Sequence, residues 1–302
     1  MGGMPARRPD MRSMQHLAEK YLGRLWMCLV YLFLYIPLIF LIIFSFNSTR
    51  QDGVFTGFSL RWYEALVTDS RLVDGFFLSL KVALLSGTLS VLLGTCAAFV
   101  LVRYLRFWGR TLFYGLVNAP LVMPEVIIGL SLLLLMVFVQ RAIGWPERGF
   151  ITIVVGHTLL GMAYATVVIQ SRLSEVDRSI EEAAMDLGCG PMQVFFLVTL
   201  PTIAPALISA WLLSFTLSFD DVVISEFLSG PGVTTLPQVI FSYARRGVNP
   251  SIYAAATLLI AVVSLGILAY SIGMLRRQKR IDREINEASR PAAPLPEPVL
   301  AK

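Results

Sequence analysis

The sequence predicts an all-α integral membrane protein that crosses the bilayer six times. Three observations carry that expectation. Of 302 residues, 56% are hydrophobic and only 15% are charged, where a soluble domain carries about 25% charged residues. Mean hydropathy is +0.70. Six runs are long and apolar enough to cross a bilayer, for which roughly 20 residues suffice.

The spans are expected at Leu25–Phe46, Phe76–Val102, Leu112–Val139, Ile151–Ile169, Ile203–Phe219 and Ile252–Leu275. The first is too long for a signal core, and "FSFNSTRQ" offers no small-x-small cleavage site, so it reads as a retained anchor. The second holds Lys81 near its start, where a long side chain can reach the interface. The third contains "APLVMPEVIIG", with Pro120 and Pro124 bending the helix and Glu125 about 20 Å along it. The fifth is the shortest. Domain organisation follows: a tail over 1–24, a six-span domain over 25–275 with a polar loop at about 170–201, and a basic, Pro-rich tail over 276–302. "RPAAPLPEPVLAK" and most of residues 1–15 have the composition of disordered segments.

Orientation comes from the basic residues. With the N-terminus inside, the inner segments hold seventeen Lys and Arg and the outer loops seven. The positive-inside rule therefore puts both termini in the cytoplasm. The net charge of +5 is a topology signal and implies no nucleic acid. Cys28, Cys96 and Cys189 show neither disulfide nor metal spacing, and His16 and His157 are too few and too scattered for a metal site. No bound cofactor or metal is expected, and no catalytic residue.

The loop between spans four and five is unusual for so apolar a chain: "IEEAAMDLGCGPMQVFFLVTLP". Ser179 and Glu182 have capping-box spacing. Ile180, Ala183, Ala184 and Leu187 share one helical face. Gly188 suits the left-handed residue after a helix, and Pro191 the first turn of the next. A helix lying on lipid headgroups favours Lys and Arg on its polar face. This one carries Glu175, Asp177, Glu181, Glu182 and Asp186 against Arg172 and Arg178, so a protein partner fits it better.

Glu182-Ala183-Ala184, Gly188, Val198 and Leu200-Pro201 resemble, in identity and spacing, the EAA loop of ABC importer permeases. The family often has Ile where Val198 stands. The resemblance implies the type I ABC importer (MetI-like) permease fold. It implies that Glu182, Ala183, Ala184, Gly188, Leu200 and Pro201 couple the chain to an ATP-binding subunit. This sequence has no G-x-x-x-x-G-K-[ST] loop, so ATP and Mg would be used by that partner.

Intramembrane carboxylates are functional candidates by default. Glu125 is one. Asp220 and Asp221 are the others, closing the fifth span in "SFTLSFDDVVISEFLSGPG" and followed by an apolar stretch that reads as a partly re-entrant lid. Adjacent carboxylates suit a cation, and Trp211, Phe219, Tyr164, Phe241 and Tyr243 could add cation–π attraction. "FNSTR", "APLVMPEVIIGLSLLLL", "RSIEEAAMDLG", "SGPGVTTLP" and "GVNPSIYAAATLL" look like the polyamine branch of the family. The branch has Asp where Glu125 stands. The resemblance implies a polyamine substrate, putrescine first and spermidine second, a second homologous permease as heterodimer partner, two ATP-binding subunits and a periplasmic binding protein, all in membrane lipid. Another small cationic substrate, a proton-coupled secondary transporter using Glu125, and a membrane enzyme are the alternatives.

Overall fold

The computed structural model describes residues 11–49, 54–246 and 250–288. The tail residues 1–10 and 289–302, with the expected disorder there, lie outside the described residues, as do 247–249 of the "GVNPSIYAAATLL" segment. Among the described residues the secondary structure is helical apart from one isolated bridge, Asn47 to Phe58, with turns and loops between the helices. Among the described residues five helices are long and apolar enough to span, and a bent helix pair, counted as one span, makes a sixth.

The chain divides into two compact units. The first joins residues 1–63 to 250–302. Its helices are α1 (Met11–Ser45) and α13 (Pro250–Ala288), which pack on one another. From Leu25 to Phe40 α1 shows its large apolar side chains outward, as expected where lipid is the solvent. After α1 the chain turns on Asn47, which is buried: its Nδ2 donates to the Val54 carbonyl at 2.7 Å, and its own carbonyl accepts from Trp62 Nε1 at 2.6 Å. Helix α2 (Arg61–Thr68) leads onward.

The second unit, residues 64–249, is built on α3 (Ser70–Arg103), α6 (Phe150–Glu175) and α10 (Ala204–Phe219), each packed on the other two. Apolar side chains gain little by leaving lipid for protein, so such contacts need close backbones and small residues. The sequence supplies them. A Cβ on Gly94 of α3 would lie 2.8 Å from the Ala165 Cβ of α6, closer than the atoms tolerate. Ser90 Oγ of α3 donates to the Thr158 carbonyl of α6, and Ser214 Oγ of α10 to that of Gly161.

Between these lie α4 (Arg110–Val122), α5 (Glu125–Ile143), α7 (Arg178–Asp186), α8 (Pro191–Val194), a π-turn (Phe195–Thr199), α9 (Leu200–Thr202), α11 (Val223–Leu228) and α12 (Leu236–Arg245). One expectation is corrected here. The third span is not one helix: α4 stops at Val122, Met123 and Pro124 are extended or non-helical, and α5 restarts at Glu125. Pro124 disfavours helical geometry at Met123 and has no N–H to continue the ladder. Glu125 therefore stands in the first turn of a helix. The fifth span is a 16-residue helix, about 24 Å long, entered through a 70° bend from Pro191–Thr202. The stretch after Asp221, expected as a partly re-entrant lid, begins with α11, whose Ile224 and Leu228 are fully buried in a core cluster with Ile128 and Leu132 of α5 and Ile153 of α6.

Candidate functional site

Two regions of the second unit hold the residues singled out by the sequence. The first is the helical hairpin α7–α8. Its N-cap is Asp177, not Ser179: the Ser179 backbone N–H donates to Asp177 Oδ1 at 3.0 Å and holds that carboxyl below the usual carboxylate range. An aspartate is both an acceptor for the orphan N–H groups and a negative charge at the positive end of the helix dipole, which explains why it takes the position. At the other end Gly188 has φ +91°, and its N–H donates to the Met185 carbonyl at 2.9 Å. Pro191 opens α8. Helix α7 buries no residue. Leu187 is 87% exposed and Ile180 is half exposed, so the apolar face predicted from spacing is real and uncovered. Glu182 and Ala183 are exposed, and space is open around Gly188. Leu200 and Pro201 sit in α9, just before the 70° bend.

What sequence reading missed is how this hairpin is held. Arg103 Nη2, at the end of α3, donates to Glu181 Oε1 at 2.7 Å, and Thr199 Oγ donates to the same oxygen at 2.8 Å. Arg178 Nη2 donates to the carbonyls of Val102 and Arg103. Arg103, Arg178, Glu181 and Thr199, with Met185, Val194 and Phe195, line a cleft of about 230 Å³.

The second region surrounds the α10–α11 turn. The adjacent carboxylates part company there. Asp220 is exposed and bonds to no other side chain among the described residues. Asp221 turns inward: His157 Nε2 lies 3.1 Å from its Oδ2, and the backbone N–H groups of Ser225 (2.8 Å) and Ile224 (3.3 Å) donate to it, capping α11. The other ring nitrogen, Nδ1, lies 2.6 Å from Ser218 Oγ, which accepts from Ser86 Oγ at 2.8 Å. One order of donors satisfies every member: Ser86 to Ser218, Ser218 to Nδ1, and Nε2–H to Asp221. The chain of bonds crosses α3, α10, α6 and α11. His157 and Asp221 side chains are 2% and 8% exposed. The space beside them is about 10 Å³, room for one water at most. The histidine that looked isolated in sequence thus has a carboxylate and serines around it, with too little space beside them for a substrate.

Glu125 is exposed. It precedes Ile128 by one turn, as Asp220 precedes Ile224, and Ile128 and Ile224 share a core cluster. Glu125 therefore opens α5 and Asp220 ends α10 in the turn before α11, and α5 and α11 pack together.

The aromatic candidates scatter. Trp211 stacks on Phe215 (ring centroids 5.3 Å) and donates from Nε1 to Thr88 Oγ. Phe219 continues the ladder, 5.8 Å from Phe215 and edge-on to Phe76, and immediately precedes Asp220. Tyr164 packs against the α5–α6–α11 core. Phe241 and Tyr243 lie on α12, where Arg245 and Arg246 stand over their rings at 5.7 and 5.5 Å. The Tyr243 hydroxyl donates to Asp69 at 2.8 Å. Those two rings are occupied by the chain's own guanidinium groups, which would repel another cation. They are not part of one aromatic cage with Trp211 and Phe219.

A bundle of membrane-length helices with an exposed helical hairpin before its bent fifth crossing defines a transport permease of the type I ABC importer fold. The structure resembles the crystal structure of a bacterial ABC transporter importing the acidic polysaccharide alginate, with a TM-score of 0.65 over 90% of this chain and 99% of that one at 16% identity. It resembles the inward-facing MetNI methionine ABC transporter with a TM-score of 0.53 over 68% and 95% at 19% identity. At such identities these likenesses speak for the fold alone. The chain belongs to the family of binding-protein-dependent transport system inner membrane components, which it matches over residues 90–281. It is 53% identical over 260 residues to the putrescine transport system permease protein PotI of Escherichia coli (strain K12), covering 85% of this chain and 92% of that protein. It is 38% identical to the spermidine/putrescine permease PotC of Haemophilus influenzae, over 84% and 96%. It is a transport subunit of the inner membrane, which decides against the membrane enzyme and the secondary transporter.

Proposed function

We propose that this chain is one of two permease subunits of an ATP-driven polyamine importer, with putrescine as its preferred cargo. The observation that carries the reading is the 53% identity, over 85% of the chain, to a putrescine permease. The geometry agrees with a cationic cargo. Glu125 and Asp220 are two exposed carboxylates, one opening α5 and the other in the turn before α11, the helix packed on α5, with Phe219 beside the second. A diamine offers one ammonium for each. Asp221, committed to His157 and to capping α11, holds the turn that presents Asp220 rather than meeting the cargo itself.

The exposed face of α7, from Ile180 through Ala183 to Leu187, with Glu182 and the open space around Gly188, is the docking surface for an ATP-binding subunit on the cytoplasmic side. Both termini lie on that side, consistent with seventeen inner against seven outer basic residues. A second permease, a second ATP-binding subunit and a periplasmic polyamine-binding protein complete the assembly. Closure of the ATPase pair pushes α7, and the α3–α6–α10 block follows.

Competitive uptake tests the cargo. In cells whose other polyamine importers are deleted, unlabelled putrescine is expected to block labelled putrescine uptake more strongly than spermidine or ornithine does. Equal competition by ornithine would move the cargo out of the polyamine class.

A further inference from the structure

We propose that Arg103, Glu181 and Arg178 form a strut that delivers motion of α7 directly to α3. The inference rests on the reading of α7 as the ATPase-docking helix.

Helix α7 is attached to the bundle in an unusual way. It contributes no buried residue, so apolar packing does not hold it. Its covalent link to α6 is the short Val176–Asp177 connection, extended at both residues. A two-residue extended joint has free dihedrals and transmits position poorly. The side-chain bonds are of another kind. Arg103 and Glu181 meet at 2.7 Å with side chains 10% and 13% exposed, where water screens little and a charge-assisted bond is short and directional. Thr199 fixes the second lone pair of the same oxygen, which ties in the π-turn leading to α10. Arg178, in the first turn of α7, donates to the carbonyls of Val102 and Arg103. These belong to the last turn of α3, whose carbonyls have no partner within their own helix. The first turn of α7 thus caps the end of α3 from another element.

Two anchors on one helix end fix direction as well as distance. Helix α3 in turn meets α6 and α10 along seams of Gly, Ala and Ser, so a displacement of α3 carries both. Arg103 Nε is buried without a partner. The contact is therefore end-on through Nη2 alone, and a lysine, which keeps one charged donor, can preserve it.

The test uses the complete importer in proteoliposomes, with its ATP-binding subunits, partner permease and binding protein. Three quantities are read: co-purification of the ATP-binding subunit, ATP hydrolysis, and putrescine taken up per ATP. Arg103→Ala and Glu181→Ala are expected to keep co-purification and hydrolysis while uptake per ATP falls about tenfold. The double variant is expected to be no worse than either single one, because both remove the same strut. Arg103→Lys is expected to retain at least half of the parent's ratio. Unchanged ratios in the alanine variants, or losses that multiply in the double variant, overturn the strut. Glu182→Lys runs alongside: if it keeps normal co-purification, the docking reading of α7 falls instead.

Discussion

Two neighbouring aspartates are expected to respond oppositely to the same change. Asp221→Ala removes the acceptor for His157 Nε2 at 3.1 Å and for the N–H groups of Ser225 at 2.8 Å and Ile224 at 3.3 Å. Hydrogen bonds to a charged group are worth about 1.5–3 kcal/mol each, and a lost N-cap about 0.5–2 kcal/mol. The bonds share one carboxylate and do not add in full, so the loss comes to about 3–5 kcal/mol. Asp220→Ala breaks no bond to another side chain and removes an exposed group, for which about 0.5 kcal/mol or less is the expected change. The assay is the temperature of half-aggregation of the detergent-solubilised complex, read beside putrescine uptake at fixed expression. Asp221→Ala is expected to lower the aggregation temperature clearly, with uptake falling as folded protein is lost. Asp220→Ala is expected to leave the temperature unchanged while uptake collapses. If Asp221→Ala is as stable as the parent, the buried network does not hold the turn. If Asp220→Ala transports normally, it is not on the path.

Other substitutions address the remaining elements. Glu182→Lys is expected to abolish binding of the ATP-binding subunit with membrane insertion intact, measured by co-purification. Gly188→Asp places a side chain at φ +91°, a strain of about 1–2 kcal/mol, and obstructs the open surface beside it. ATPase stimulation is expected to vanish. Gly94→Val drives a branched side chain into Ala165 and the Thr166 backbone across the α3–α6 seam. Overpacking of this kind costs about 1–3 kcal/mol, and reduced abundance of folded protein in membranes is the readout. Asp177→Ala removes the acceptor for the Ser179 N–H, and faster amide exchange in the first turn of α7 is expected at neutral pH. The folded-state carboxyl is lowered, so its capping contribution is present above the ordinary aspartate pKa of about 3.9 and disappears as pH falls through the lower folded value. The difference between variant and parent is expected to close in that acid range.

What could be read from sequence was whatever leaves a local signature. The apolar runs gave the spans, because a bilayer demands length and composition within one continuous segment. Gly188 and Pro191 marked the hairpin, because a left-handed residue and a missing N–H act at their own positions. The broken third span was half legible: the prolines at 120 and 124 were evident, but Pro120 lies inside α4 and only Pro124 ends a helix. A proline interrupts only where its neighbours leave freed carbonyls another partner. The cap of α7 went to Asp177 over Ser179 because charge favours it at a helix start, a competition that spacing alone does not decide.

The functional geometry was less legible because its bonds join distant residues. His157 and Asp221 are 64 residues apart, and Arg103 and Glu181 are 78 apart. Neither pair has a period or a spacing. A partial signal was present: His157 is a titratable group within an apolar span, and such a group must find a partner or stay uncharged. Asking which acceptor could reach it would have led to the Asp220-Asp221 pair and to the recognition that one of the two was already engaged. The same question applied to Glu181, an acid next to the residue that carries the motif, would have led to a basic residue at a span end. In a membrane bundle the demand that every buried polar group find a partner is stricter than in water. It therefore constrains the pairing of distant residues even where sequence spacing is silent, and here it separates the carboxylate that holds the fold from the one free to meet a cation.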